Sequence, residues 1–218
     1  MKRKGFIFDL DGVIVDTAKY HFLAWKKLAN SIGIDFSETQ NEQLKGVSRK
    51  QSLEKILAWG NKTLSEKEFT QLMERKNIDY LNYITNMGEN EILPDVVKIL
   101  NYLIGQQQPI ALGSASKNAR EILAKVNLLK KFDDIVDGND VTKAKPDPEV
   151  FLKAADQIGI NPVDCIVFED SLAGVQAANL ANMISIGIGD ETILSEARWV
   201  FKDFTEVSID FIENLIKK

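Results

Sequence analysis

The sequence predicts an α/β protein: a doubly wound parallel sheet with an all-helical segment inserted after its first strand. Three observations predict it. Short unbroken apolar runs recur along the chain, they alternate with apolar spacings of three and four, and one long stretch near the start carries the second pattern alone. Continuous apolar runs suit strands covered on both faces, and strands alternating with helices give a parallel sheet.

In chain order, the expected strands are Lys4 to Phe8, Pro109 to Gly113, Asp134 to Val136, Cys165 to Phe168 and Met183 to Ile188. Helical faces are formed by Val96, Val97, Ile99, Leu100, Leu103 and Ile104, by Ile122, Leu123, Val126 and Leu129, and by Ala173, Val175, Ala177, Ala178 and Leu180. Val207, Phe211 and Leu215 predict a closing surface helix. From about Thr17 to Asn86 every stripe is helical: Phe22, Trp25, Leu28, Ala29 and Ile32, then Leu53, Ile56, Leu57 and Trp59, then Phe69, Leu72, Met73 and Leu81. The expected division is a core of residues 1–16 and 87–218 with a helical domain of residues 17–86 inserted in it, the main sheet resuming near Glu91.

A chain of 218 residues, 44% hydrophobic and 27% charged, can bury a sizeable core. Its net charge of -5 excludes a broad basic surface for nucleic acid, so a small anion must be held by a few local cations. The start, Met1 to Phe8, opens like a secretory leader, but Asp9 and Asp11 break the apolar stretch too soon. No run approaches the ~18 apolar residues of a membrane span. Cys165 is the only cysteine, which excludes an internal disulfide, and its apolar neighbours make it a small core residue. A cytoplasmic protein with no nucleic-acid or membrane partner is expected, and nothing points beyond a monomer.

Four strand ends carry chemistry. The first runs into Asp9-Leu10-Asp11-Gly12. Residues two apart in extended chain face the same way, so both carboxylates point into the crevice beyond the strand, where open α/β sheets bind ligands. Taken alone, the pair also reads as a polar turn closed by Gly12. The second strand ends in Ser114-Ala115-Ser116-Lys117-Asn118, in which Ser114 or Ser116 suits a helix N-cap and a seat for phosphate. Lys145, in Lys143-Ala144-Lys145-Pro146-Asp147-Pro148, is either a solvated charge or a rigidly held cation beside a carboxylate, and Pro148 favours a helix start after it. The fourth strand ends in Glu169-Asp170-Ser171, an aspartate N-cap for a helix from about Leu172 by the plain reading and a set of hard oxygen ligands by the chemical one. Each plain reading stands separately; the coincidence of all four at one sheet edge favours a joint site.

In this combination the chain resembles the haloacid dehalogenase superfamily over essentially its whole length. The resemblance implies a Rossmann-like core with an inserted all-helical cap, and a phosphoryl transferase dependent on magnesium (Mg2+). It implies Asp9 as nucleophile, Asp11 as general acid and base, and Ser114 and Lys145 as ligands of the phosphoryl group. The metal ligands it implies are Asp9, the backbone carbonyl of Asp11, Asp170, and Glu169 directly or through water.

A narrower resemblance, to sugar-phosphate mutases of that superfamily, rests on Asp16-Thr17-Ala18, Tyr20-His21-Phe22, the run Asn41 to Arg49, and Glu169-Asp170-Ser171 with Ala173-Gly174. It implies interconversion of a hexose 1-phosphate and 6-phosphate through a bisphosphate. Thr17 joins the catalytic group. His21, a helix-pairing residue by pattern alone, becomes a gating residue acting with Lys76. Trp25, Trp59 and Leu44 read mainly as core of the helical segment; on the resemblance Trp25, Leu44, Gly46, Val47, Ser48 and Ser52 would line the sugar side. Arg49 would hold the second phosphate, with Ala115, Ser116, Lys117 and Asn118 opposite. The alternative on the same scaffold is a phosphatase for a small sugar phosphate, which needs no second phosphate seat.

Overall fold

The computed structural model describes residues 3–217. Met1 and Lys2 of the apolar start, and Lys218 after the closing helix, lie outside the described residues. Strands β1 (Gly5–Phe8), β2 (Ile110–Gly113), β3 (Asp134–Val136), β4 (Cys165–Glu169), β5 (Ile184–Ile188) and β6 (Trp199–Phe201) pair in parallel in the order β3-β2-β1-β4-β5-β6. The order runs one way from β1 to β3 and the other from β4 to β6. The carboxyl ends of β1 and β4 therefore flank the switch point, the place where such sheets leave a crevice.

Alternation along the strands divides the core in two. Phe6, Phe8, Ile110, Leu112, Ile166 and Phe168 face one way and pack with α5 (Val96–Gly105), α6 (Ala119–Lys125) and α9 (Ile209–Lys217). Ile7, Ala111, Cys165 and Val167 face the other way, under α7 (Glu149–Gln157) and α8 (Leu172–Leu180). Phe8 stacks on Phe168 with ring centroids 4.8 Å apart, directly beneath the crevice. Burial pushes the Cys165 thiol up to about 12, so it stays protonated and inert at neutral pH.

The segment between β1 and α5 folds as α1 (Ala18–Ser31), α2 (Glu38–Glu42), α3 (Arg49–Trp59) and α4 (Glu66–Tyr83). Three of these starts follow directly from sequence: Ser37, Ser48 and Ser65 each close a capping box with Gln40, Gln51 and Glu68. The helices bury a separate apolar cluster around Trp25, Leu28, Phe36, Leu44, Leu53 and Ile56. Tyr80, Ile84 and Met87 instead join the cluster of the sheet, which roots α4 in the core.

Some local expectations change. β6 is an additional strand; its three residues are only half-buried and make no long apolar run. α6 stops at Lys125 because Asn127 turns the chain with φ +56°, so Leu129 lies outside the helix and is 39% exposed. Near Glu91 the chain makes a short 3-10 turn, and the sheet resumes only at Ile110. Neither Ser114 nor Ser116 caps α6; the N-cap is Asn118, with no side-chain bond. The cap of α8 is Ser171, whose hydroxyl accepts from Gly174 N, and not an aspartate.

Candidate active site

Phe8 and Phe168 are paired across β1 and β4, so Asp9 and Glu169 leave the sheet side by side. Asp9 N still donates to Phe168 O at 3.0 Å, which fixes where its side chain starts. From the loop before α7, Lys145 reaches between them. Its Nζ lies 2.6 Å from Asp9 Oδ1, 2.8 Å from Glu169 Oε2 and 3.1 Å from the carbonyl of Gly113. Lys145 is 1% exposed and Glu169 is fully buried; charges so placed persist only when paired and hydrogen-bonded. The other oxygen of Glu169 accepts from Ser171 Oγ at 2.7 Å and from the amides of Ser171 and Asp170. Ser114, also buried, accepts the Ser116 amide at 3.1 Å, leaving its hydroxyl hydrogen for a ligand.

Burial, with Glu169 and Asp11 close by, pushes the Asp9 carboxyl up to about 7, against the opposing pull of Lys145. Burial and the negative Glu169 hold Asp170 well above the usual carboxylate range, although Lys45 Nζ stands 3.5 Å away. Lys145 responds in the opposite sense. Burial alone would lower it, but the charges of Asp9 and Glu169 keep it above its ordinary value. Oxygens of Asp9, Glu169 and Asp170 all lie within 4.8 Å of one another. Hard oxygens carrying surplus negative charge fit a divalent cation that prefers oxygen. The Asp11 carboxylate is not part of that set.

Asp11 looks toward the helices. Thr17 Oγ1 donates to its Oδ1, and His21 Nε2 stands 3.7 Å from the same oxygen. Burial would raise Asp11, but His21, Thr17 and the charge of Lys76 more than offset it and the carboxyl lies low. Lys76 Nζ is 2.9 Å from His21 Nδ1 and lies over the rings of Trp25 and Tyr80, each at 4.7 Å. Burial and the Arg49 charge bring Lys76 down to about 7; burial and Lys76 likewise lower His21.

A cleft of 890 Å³ separates the helical segment from the sheet edge. Asp9, Asp11, Ser114, Lys145 and Asp170 line its floor. Ala115, Ser116, Lys117 and Asn118 form one rim. His21, Trp25, Leu44 and Lys76 line the helical side, with Gly46, Val47, Ser48, Arg49 and Ser52 beside them. Two expected residues do not reach the cleft surface: Thr17 and Glu169 are both fully buried and hydrogen-bond to Asp11 and Lys145. Ser48 spends its hydroxyl on capping α3, and the Ser52 hydroxyl donates to the Ser48 carbonyl at 3.0 Å.

Three residues had no assigned role in the sequence reading. Lys45 touches Asp170, the Tyr80 ring lies tilted against His21 with centroids 4.3 Å apart, and Asn77 bonds to Arg49 and Asn118. Only Lys45 had a local signal, its place within the run Asn41 to Arg49.

A model of haloacid dehalogenase-like hydrolases matches residues 3–182. The chain is 40% identical over 213 residues to a β-phosphoglucomutase of Bacillus subtilis, covering 96% of this chain and 93% of that protein. It is 30% identical over 186 residues to a fructose-1-phosphate phosphatase of Escherichia coli, covering 84% of this chain and 95% of that one. A crystal structure of a Clostridium difficile β-phosphoglucomutase superposes with a TM-score of 0.95 at 41% identity, covering 99% of this chain and 98% of the other. With the parallel sheet, the helical insert and the acids, hydroxyl and lysine gathered at the strand ends, the conclusion is that the chain belongs to the haloacid dehalogenase-like hydrolase family.

Proposed function

We propose that the protein interconverts β-D-glucose 1-phosphate and D-glucose 6-phosphate through an aspartyl-phosphate and β-glucose 1,6-bisphosphate. The observation that carries this reading is that one cleft holds two cationic seats, Lys145 beside Asp9 and Arg49 beside Asn118. A phosphatase needs only the first. The identity to the Bacillus subtilis enzyme supports the same choice.

On this reading a carboxylate oxygen of Asp9 attacks one phosphorus of the bisphosphate. The bond from that phosphorus to the sugar oxygen breaks, and the oxygen takes a proton from Asp11. When the phosphorus attacked is the one on C1, glucose 6-phosphate leaves. An incoming β-glucose 1-phosphate then gives the proton of its 6-hydroxyl to Asp11 and attacks the aspartyl-phosphate, which frees Asp9 and re-forms the bisphosphate. The bisphosphate turns over before the next attack. Thr17, His21 and Lys76 orient Asp11 and hold it ionised, the state needed to accept that proton. Lys145 and Ser114 receive the phosphoryl group in flight. Asp9, Asp170 and the carbonyl of Asp11, with Glu169 directly or through water, would hold magnesium, which when bound offsets the charge on the transferring group.

Residues 17–86 act as the cap. Trp25, Leu44, Gly46, Val47, Ser48 and Ser52 cover the sugar, while Arg49, Ser116, Lys117 and Asn118 seat the second phosphate. Closing the cleft keeps water from the aspartyl-phosphate. The cleft is complete within one chain, in keeping with a monomer, and the single buried cysteine suits the cytoplasm. No helix among the described residues is long and apolar enough to cross a membrane.

Phosphorus NMR tests the reading directly. With β-glucose 1-phosphate, magnesium and a trace of the bisphosphate, the resonance of the 1-phosphate should give way to that of glucose 6-phosphate. Inorganic phosphate as the main product would overturn the mutase in favour of the phosphatase.

A further inference from the structure

Next to Lys76 on α4 stands a residue that no motif marks. Asn77 is half-buried, and its Oδ1 accepts two hydrogen bonds, from Arg49 Nη2 at 2.7 Å and from Asn118 Nδ2 at 3.0 Å. The donors belong to different parts of the fold: Arg49 opens α3, and Asn118 precedes α6 at the edge of the core. A guanidinium only donates, so Asn77 must turn its oxygen toward Arg49, and Asn118 must answer with its amide nitrogen.

The acceptor is uncharged, and that matters. Burial lowers Arg49 from its ordinary value, and among the described residues no carboxylate forms an ion pair with it. An aspartate in the place of Asn77 would bond in the same geometry but neutralise the guanidinium. The carboxamide aligns Arg49 and leaves its charge for an anion. Arg49 keeps the rest of its fork of N–H groups, and Asn118 keeps one amide hydrogen.

We propose that Asn77 is a positioning residue for the second phosphate: an uncharged bracket that fixes Arg49 and Asn118 together, so that their remaining N–H groups meet that phosphate. The inference rests on the mutase reading above. Holding both donors in place beforehand removes part of the ordering cost of binding, and it does so only for ligands that reach this seat.

The test compares Asn77→Ala, Asn77→Asp, Arg49→Ala and the double variant Arg49→Ala/Asn77→Ala in the full chain. Two reactions are measured: turnover of β-glucose 1-phosphate primed with the bisphosphate, and phosphorylation of the enzyme by acetyl phosphate, which carries one phosphate and needs only the seat at Asp9. Asn77→Ala should raise KM for β-glucose 1-phosphate by about tenfold, with a smaller change in kcat. Asn77→Asp, although nearly isosteric, should raise it at least as much. Phosphorylation by acetyl phosphate should be unchanged in both. The double variant should lose less than the product of the two single losses, since Asn77 acts in part through that arginine. A KM within about twofold of the parent in both Asn77 variants, with Arg49→Ala impaired, would overturn the bracket and leave the mutase standing. An equal loss of the acetyl phosphate reaction would overturn it as well, by marking a general structural lesion. An unimpaired Arg49→Ala would remove the second phosphate seat, and with it both readings.

Discussion

Thr17 stands where a threonine ordinarily caps a helix, yet its hydroxyl goes to Asp11 and the first amides of α1 receive no side-chain bond. The usual benefit of a cap, about 1 kcal/mol, is forgone for the orientation of one carboxylate. Thr17→Val keeps the shape and removes the donor. Its melting temperature should stay close to that of the parent, while kcat falls about tenfold, because Asp11 loses its alignment for proton transfer. Steady-state rates beside thermal melts check this.

Lys76 gives a second prediction at this scale. Its ammonium is brought down to about 7 from 10.5. Between those values the unfolded chain binds more protons than the folded one, so this residue makes stability rise with pH across the window. Below about pH 7 its full penalty is present. Lys76→Met should therefore be more stable than the parent at neutral pH, by about 1–3 kcal/mol, and less active. Denaturant melts from neutral to alkaline pH should show the gap between the two proteins closing as pH rises.

At the scale of elements, α8 shows a local rule broken for the site. Gly174 lies in its first turn, where alanine would favour the helix by up to about 1 kcal/mol. A Cβ there would stand 2.0 Å from the Glu169 carboxyl carbon. Gly174→Ala should therefore lower both melting temperature and kcat, against helix propensity, by pushing Glu169 off Lys145. The central β strands were legible because Phe6 to Phe8 and Cys165 to Phe168 are apolar without interruption, the mark of strands covered on both faces. β6 was not, since a half-buried edge strand of three residues leaves no pattern to count. Nor was the early end of α6, which depends on the backbone turn at Asn127.

At the scale of the molecule, the floor of the cleft was legible because parallel strands deliver their carboxyl ends to one edge, so residues far apart in sequence meet without further information. The contacts across the cleft were not. Lys45 on Asp170, Asn77 between Arg49 and Asn118, and Tyr80 on His21 depend on how the helical segment sits over the sheet, which no local spacing encodes. Gly46 marks that fit. Its φ is +70°, and a Cβ there would come 2.2 Å from Ser171 Oγ. Gly46→Ala should hold the helices away from the core without unfolding either. Mutase turnover should fall at least about tenfold, and the share of substrate lost as inorganic phosphate should rise, as water reaches the intermediate.

On the proposed mechanism the transferred phosphoryl group is carried on Asp9, between Lys145 and the acids at the end of β4. Acid quenching during turnover, followed by peptide mass spectrometry, measures that placement most directly. A phosphoryl group on Asp9, absent from an Asp9→Asn variant that has lost turnover, is the predicted result. Steady turnover with no phosphate on Asp9, or with phosphate on another residue, would contradict the account.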